Sequence, residues 1–171
     1  MKSRIADALF LKNSPVAIYI TDEIPDGAIQ FKPGARGCII SLFTAASQGK
    51  VAAVSAETTG CMGGRSGLGF CDSFDNTPGG IEYFLSTGRG EGYPDGEGYK
   101  KTPELAKAFV DQLPVTKIDR KYVIFRPLSE LEDIPLLVSF IVNPDQLSAL
   151  VVLANYGRKS NDNTSVQFGA G

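Results

Sequence analysis

Two of the three cysteines lie in glycine-rich segments, where a thiol could meet a ligand. Cys61 stands in the segment 60–70, which reads GCMGGRSGLGF. Consecutive glycines allow the backbone to turn so that several N–H groups converge into an anion-binding nest. The same groups would stabilise a thiolate, so Cys61 is a candidate nucleophile, redox thiol or metal ligand. The candidate ligand-binding residues that follow it are Gly63, Gly64, Arg65 and Ser66.

These glycines are also compatible with a purely structural role in tight turns. The sequence GLG at 67–69 lacks the third spaced glycine of a dinucleotide-binding fingerprint, and no Gly-Lys-Ser/Thr ending of a phosphate-binding loop is present. Glycine-rich loops nevertheless often carry function. The residues alone therefore leave both interpretations open.

Cys38 follows the sequence GARG at 34–37 and comes directly before a predicted helix. The positive end of the helix dipole favours a thiolate at such a position, and with it metal ligation. Arg36 adds a positive charge nearby and is a further candidate ligand-binding residue. The competing interpretation is that Cys38 packs as a small apolar side chain under the helix, because unpaired cysteines are among the most buried residue types.

The composition excludes several classes of site. The 171 residues include no histidine, so the chain holds neither a Ser-His-Asp nor a Cys-His couple, nor a His-ligated metal. Three cysteines cannot complete a four-cysteine zinc site, but they could hold an iron–sulfur cluster with one position open to another group. A net charge of −2 argues against a nucleic-acid-binding surface.

The apolar segments favour a cytoplasmic protein that is not inserted in a membrane. The longest apolar run, residues 134–142, is interrupted by Pro135 and Ser139 and is too short to span a bilayer. The N-terminal apolar stretch carries Asp7 and has no signal-peptide cleavage pattern. Three cysteines without a Cys-x-x-Cys pair do not resemble a secreted disulfide framework, so we expect reduced thiols.

Hydrophobic spacing and turn residues predict one α+β domain over residues 1–171, with a mixed sheet flanked by helices and a glycine-rich loop region. Helices are expected over 4–11, 38–48, 79–88, 103–113 and 144–156, and strands over 16–20, 51–54, 122–125, 136–142 and 165–168. The run 136–142 has no polar alternation, which indicates a central strand of the sheet.

Motifs spread along the chain resemble one prokaryotic family. They read LKNSPVAI at 11–18, FKPG at 31–34 with GC at 37–38, GCMGG at 60–64, PGGIEYFLS at 78–86 and NPDQL at 143–147. Together they resemble the domain-of-unknown-function family 169, also called ArCR. The resemblance implies an intracellular protein of bacteria or archaea with no established reaction. It also implies that Cys38 and Cys61 are family positions, whereas Cys71 is not.

Members of that family are similar in continuing beyond the sequence FGAG at 168–171 with another cysteine. The resemblance therefore implies that this chain is C-terminally incomplete relative to the family. A site shared by three family cysteines would retain two of them here.

These observations favour a cysteine-assisted protein that binds a cofactor or metal, with an iron–sulfur cluster or another thiophilic metal held by Cys38 and Cys61. Two alternatives stay open. In the first, Cys61 is the nucleophile or redox thiol of an enzyme. In the second, the cysteines are structural and the chain binds an anionic small molecule. The expected partner is a small molecule or a metal, with no nucleic acid and no membrane, and a homo-oligomer is compatible with this interpretation.

Overall fold

Four antiparallel strands form the sheet at the centre of the molecule. The computed structural model describes residues 3–35, 37–74, 77, 79–88, 95–160 and 162–165. The strands are β1 Val16–Thr21, β2 Ala52–Ser55, β3 Tyr122–Pro127 and β4 Leu137–Ser139. Their order across the sheet is β2-β3-β1-β4. Strands β1 and β3 pair along their whole length, from Val16 opposite Pro127 to Thr21 opposite Tyr122.

Six α-helices and one 3-10 turn accompany this sheet in the described residues. They are α1 Arg4–Ala8, α2 Ile39–Ser47, α3 Met62–Gly67, α4 Ile81–Phe84, α5 Pro103–Val110 and α6 Pro144–Tyr156, with the 3-10 turn at Leu128–Glu130. Three helices begin at the polar caps that the sequence contains. The side chains of Ser3, Thr102 and Asn143 each accept a hydrogen bond from the backbone N–H three residues later. These caps fix where α1, α5 and α6 begin.

Helix α2 packs on one face of the sheet and forms the main core with it. The spacing of Ile39, Leu42 and Ala46 puts these residues on one side of the helix, and all three are buried. They belong to one cluster with buried strand residues, namely Val16, Ala52, Val54, Val123 and Phe125. Phe43 adds an edge-to-face contact with Phe125, with the ring centroids 5.9 Å apart. This packing fixes the position of the first turn of α2.

The predicted α+β class is confirmed. All pairs between the four strands are antiparallel, and one parallel bridge joins Ile29 to Ala52. The parallel component of the expected mixed sheet is therefore limited, in the described ranges, to this bridge. Across the same ranges, no helix combines the length and the apolar content that crossing a bilayer requires.

The predicted central strand at 136–142 is wrong. Only Leu137–Ser139 form a strand, and β4 lies at an edge of the sheet beside β1. Leu137 of this strand is exposed, and so are the nearby apolar residues Leu136 and Ile141. A run without polar alternation is typical of a strand covered on both faces. Here only three residues of the run pair with another strand, and that strand is β1. The strand expected at 165–168 falls, apart from residue 165, outside the described residues.

Candidate functional site

Cys61 is the N-cap residue of helix α3. Its backbone is extended, and its Sγ accepts a hydrogen bond from the backbone N–H of Gly64 at 3.3 Å. The open loop expected here is wrong for residues 62–67, which are helical although three of the six are glycine. Each glycine costs a helix about 1 kcal/mol relative to alanine. The sulfur cap therefore helps to hold a helix that its residues alone do not favour.

Cys38 occupies the same position at the start of helix α2. It is the N-cap residue, but its side chain makes no capping hydrogen bond. The cysteine is exposed, so the interpretation that it packs as a buried side chain under the helix is wrong. Its backbone oxygen accepts hydrogen bonds from the N–H of Ser41 at 2.9 Å and from the Ser41 hydroxyl at 2.8 Å. The first turn of α2 thus presents an accessible thiol.

The first turns of α2 and α3 meet where Ile39 lies against Gly64. A Cβ atom added at Gly64 would overlap the side chain of Ile39, so only glycine permits this approach. Ile39 follows Cys38 directly, and Gly64 donates its N–H to Cys61. Cys61 is half-buried and packs against the same core cluster as Ile39. We call the group Cys38, Ile39, Cys61 and Gly64 the α2–α3 junction.

Gly63 differs from Gly64 in having no packing reason to be glycine. It is exposed, and a Cβ atom added to it would meet nothing within 4 Å. Its backbone is helical, with no left-handed φ that would require glycine. As the second residue of α3, it also carries an N–H group that has no acceptor within the helix. The surface beside the Cys61 cap is therefore open at Gly63.

Arg65 lies four residues after Cys61, and its backbone N–H donates to the backbone oxygen of Cys61 at 2.8 Å. Its Nε is buried and has no hydrogen-bond partner among the residues that the structure describes. Leaving a buried donor unpaired costs about 1–3 kcal/mol. A carboxylate or phosphate oxygen is the kind of acceptor that would pair with such a donor. Arg36, the other predicted cation, lies outside the described residues.

Ser66 turns inward, away from the junction's open surface. Its side chain is buried, and its hydroxyl donates to the backbone oxygen of Ser73 at 2.8 Å and lies 3.0 Å from the Sγ of Cys71. The Cys71 thiol also donates to the Ser73 oxygen, at 3.3 Å. These bonds close the loop that follows α3. A ligand-binding role for Ser66 stays a prediction, and Cys71 has a structural role in this loop.

Comparison with known proteins identifies the family. A family model matches residues 4–171, and it describes DUF169, the uncharacterised ArCR family. The chain belongs to the DUF169 family. The resemblance seen in the motifs is thereby confirmed. No curated protein and no solved structure matches the chain.

In the described ranges of the DUF169 chain, potential metal ligands are not clustered. No group of three or more histidine, cysteine, aspartate or glutamate side chains is placed there to hold a metal ion. The α2–α3 junction contributes two thiols, and an iron–sulfur cluster usually takes four cysteines. These residues do not fit a cluster held by the described residues alone. Two thiols amount to half of the four ligands that a tetrahedral metal site requires.

A separate cleft of about 470 Å³ lies between α4, α5 and residues 72–74 of this DUF169 chain. None of the predicted site residues lines it. Its polar lining consists of Asp72, Ser73, Glu82, Lys107 and Asp111, and the ammonium of Lys107 pairs with Asp111 at 2.8 Å. Sequence reasoning missed this cleft because its walls come from separate segments that share no motif.

Proposed function

We propose that this DUF169 protein binds a small molecule or metal-containing cofactor at the α2–α3 junction, with Cys61 and Cys38 as thiol contacts. The contact between Ile39 and Gly64 carries this proposal, because it joins the two helix starts that bear the cysteines. The thiols differ in role. Cys61 is ordered by its bond to the Gly64 N–H, whereas Cys38 is exposed and uncapped.

The charge beside the junction favours a ligand with an anionic group. Arg65 follows Cys61 by one helical turn and holds an unpaired buried Nε. A carboxylate or phosphate oxygen would satisfy this donor through a charge-assisted hydrogen bond. Helix α3 has six residues, so its dipole alone is a weak anion site and the guanidinium is the main positive group.

A thiophilic metal is the ligand that uses both cysteines at once. Thiolates are soft donors that select metals such as zinc, copper(I) and iron. In this arrangement, Cys38 and Cys61 provide two ligands and an anionic molecule paired with Arg65 provides the rest. The opening at Gly63 supports the proposal because it leaves room beside the metal for that molecule.

Titration of the reduced protein with Co²⁺ under anaerobic conditions tests the proposal. The expected signal is thiolate-to-cobalt charge-transfer absorbance, saturating at one ion per chain. Loss of a residue that only supports a metal ligand lowers metal affinity by roughly tenfold or more. Cys38→Ser and Cys61→Ser each remove a ligand itself, so each should lower the affinity for Co²⁺ by more than this. Cys71→Ser is the matched control and should bind as the unchanged protein does. Absent absorbance, or a Cys71→Ser variant as weak as Cys61→Ser, would overturn the metal proposal.

A thiol-dependent enzyme is the second candidate, favoured by the hydrogen bond from Gly64 to Cys61 Sγ. This hydrogen bond holds the sulfur in one position, as a nucleophile that attacks a bound substrate requires. With no histidine in the chain, a carboxylate, a lysine, the substrate or water would have to accept the proton. Iodoacetamide labelling followed by mass spectrometry compares the cysteines site by site. Faster labelling of half-buried Cys61 than of exposed Cys38 supports this candidate, and slower labelling removes it.

A cytoplasmic location accompanies both candidates as part of the proposal. Cys38, Cys61 and Cys71 are all free, which fits a reducing compartment. Expression with a fluorescent fusion and cell fractionation would test the location.

A further inference from the structure

Helix α6 carries an exposed apolar stripe. Ala149, Val152, Leu153 and Tyr156 follow the spacing at which side chains share one side of a helix. Val152, Leu153 and Tyr156 retain 63%, 54% and 87% of their accessible surface. With Asp145 and Ser148, the stripe lines a shallow groove of about 440 Å³. An apolar surface at this spacing is typical of a helix that packs against another helix.

The stripe is not the side by which α6 rests on its own domain. Leu150, Val151 and Ala154 lie on another side of the helix and are partly covered. The first turn is tied to the domain by Gln146, whose Nε2 donates to the backbone oxygen of Leu9 at 2.8 Å. Helix α6 is therefore apolar on two sides, which is typical of a helix enclosed from both.

Charges at the two ends of α6 specify what fits the stripe. Asp145 is in the first turn, Arg158 and Lys159 follow the last turn, and no charged residue lies between positions 145 and 158. A second α6 lying antiparallel would bring the acidic end of each helix to the basic end of the other. A parallel arrangement would place like charges together, which is unfavourable. The charge pattern thus selects the antiparallel pair, whose twofold axis is perpendicular to the helices.

We propose that α6 is a homodimer interface, in which the stripe packs against the same stripe of a second copy in antiparallel orientation. The twofold axis passes between positions 149 and 152, so Ala149 of one copy lies opposite Val152 of the other. The small Ala149 side chain allows the close approach of packed helices, whose axes are about 8–10 Å apart. Asp145 then faces the end of the second helix where Tyr156, Arg158 and Lys159 lie.

The interface is small, so the dimer is weak. Stable complexes bury about 800 Å² on each partner, and smaller interfaces are typical of transient association. An interface of four apolar side chains per copy belongs to the smaller class. We expect a dissociation constant in the range of about 1 μM to 1 mM, corresponding to roughly 4–8 kcal/mol.

Sedimentation velocity over a wide concentration series tests the proposal on the full chain. The expected result is a monomer that converts to a dimer as concentration rises. Leu153→Glu should weaken the dimer about tenfold or more, because it buries a charge without a partner. Ile134→Glu is the matched control, since Ile134 is 91% exposed and lies outside α6. It should leave the dissociation constant unchanged, and far-UV circular dichroism should show both variants folded.

A charge exchange tests the antiparallel orientation independently. Asp145→Lys alone should weaken the dimer, whereas Asp145→Lys combined with Arg158→Glu and Lys159→Glu should restore it. Strictly monomeric protein at every concentration would overturn the proposal, as would a dimer that survives Leu153→Glu. Equal loss in Ile134→Glu, or failure of the combined exchange to restore association, would also overturn it.

Discussion

The side chain of Ile39 lies against the backbone of Gly64, and this contact joins the first turns of α2 and α3. Ile39 and Gly64 each make a further interaction. Ile39 is buried in the core formed by α2 and the sheet, and Gly64 donates its N–H to the Cys61 sulfur. The position of the Cys61 cap therefore depends on the main core. Stability and the geometry of the candidate site are linked through this one contact.

Gly64→Ala should destabilise the protein, because its new Cβ would overlap Ile39. Overpacking of this kind costs about 1–3 kcal/mol, and improved helix propensity offsets only part of it. Gly63→Ala is the matched control in the same helix turn, where a Cβ meets nothing within 4 Å. It should stabilise by up to about 1 kcal/mol. Urea unfolding measures both, and a Gly64→Ala variant as stable as Gly63→Ala would contradict the packing argument.

Local signals in the sequence predict much of the helical structure. The spacing of Ile39, Leu42 and Ala46 indicates α2, and the caps at Thr102 and Asn143 indicate where α5 and α6 begin. Such signals depend on residues within one or two helical turns of each other, so they can be recognised in the sequence. The ends of elements are less predictable. Helix α1 stops at Ala8 rather than residue 11, and Phe10 takes a positive φ of 50° shortly after it.

Features that depend on distant contacts were not predictable in the same way. Cys38 and Cys61 could be singled out from their neighbours, but their junction depends on Ile39 meeting Gly64, 25 positions later. Helix α3 was missed because glycine disfavours helices, and the sulfur cap and the Ile39 contact are not visible in composition. Likewise, the apolar run at β4 does not reveal which strand it will pair with. Sheet order is decided by tertiary packing.

Cys61→Ser should preserve the fold while removing the thiol. Serine is a favoured N-cap residue, so its hydroxyl can accept the Gly64 N–H in place of Sγ. We expect a free energy of unfolding within about 0.5 kcal/mol of the unchanged protein, whereas Cys61→Ala should lose about 1 kcal/mol with the cap. Chemical denaturation followed by circular dichroism compares the three proteins. Equal stability of the Ser and Ala variants would show that the sulfur does not act as a cap.

Thr102→Ala should weaken α5 by removing its N-cap, at a cost of about 1 kcal/mol. Two hydrogen bonds lower the pKa of the Glu104 carboxyl below its usual 4.5. The larger effect comes from the side chain of Thr102, and the smaller from the backbone N–H of Glu104 itself. Because the folded pKa is the lower one, this stabilisation is present above pH 4.5 and is lost as the pH falls through the folded pKa.

The difference in unfolding free energy between Thr102→Ala and the unchanged protein should therefore narrow below pH 4.5. It should not vanish, because the Thr102 hydroxyl still accepts the N–H of Leu105. Urea unfolding at a series of pH values measures the gap, and NMR titration follows the Glu104 carboxyl directly. Two results together would contradict the role of the Thr102 hydrogen bond. They are a difference in unfolding free energy that stays constant with pH and an unchanged Glu104 titration in the variant.

Arg65→Met should leave the ligand-free protein at least as stable as the unchanged one. The buried Nε of Arg65 has no partner among the described residues, so replacing it with an apolar side chain of similar length removes an unpaired donor. Arg120→Met is the matched control. Its guanidinium pairs with Asp22 at 3.3 Å on the surface, and losing such a pair costs about 0–1 kcal/mol. Thermal unfolding of both variants measures the contrast. A marked loss of stability in Arg65→Met alone would mean that the guanidinium supports the fold, and its proposed role in holding an anionic ligand would then lose its main support.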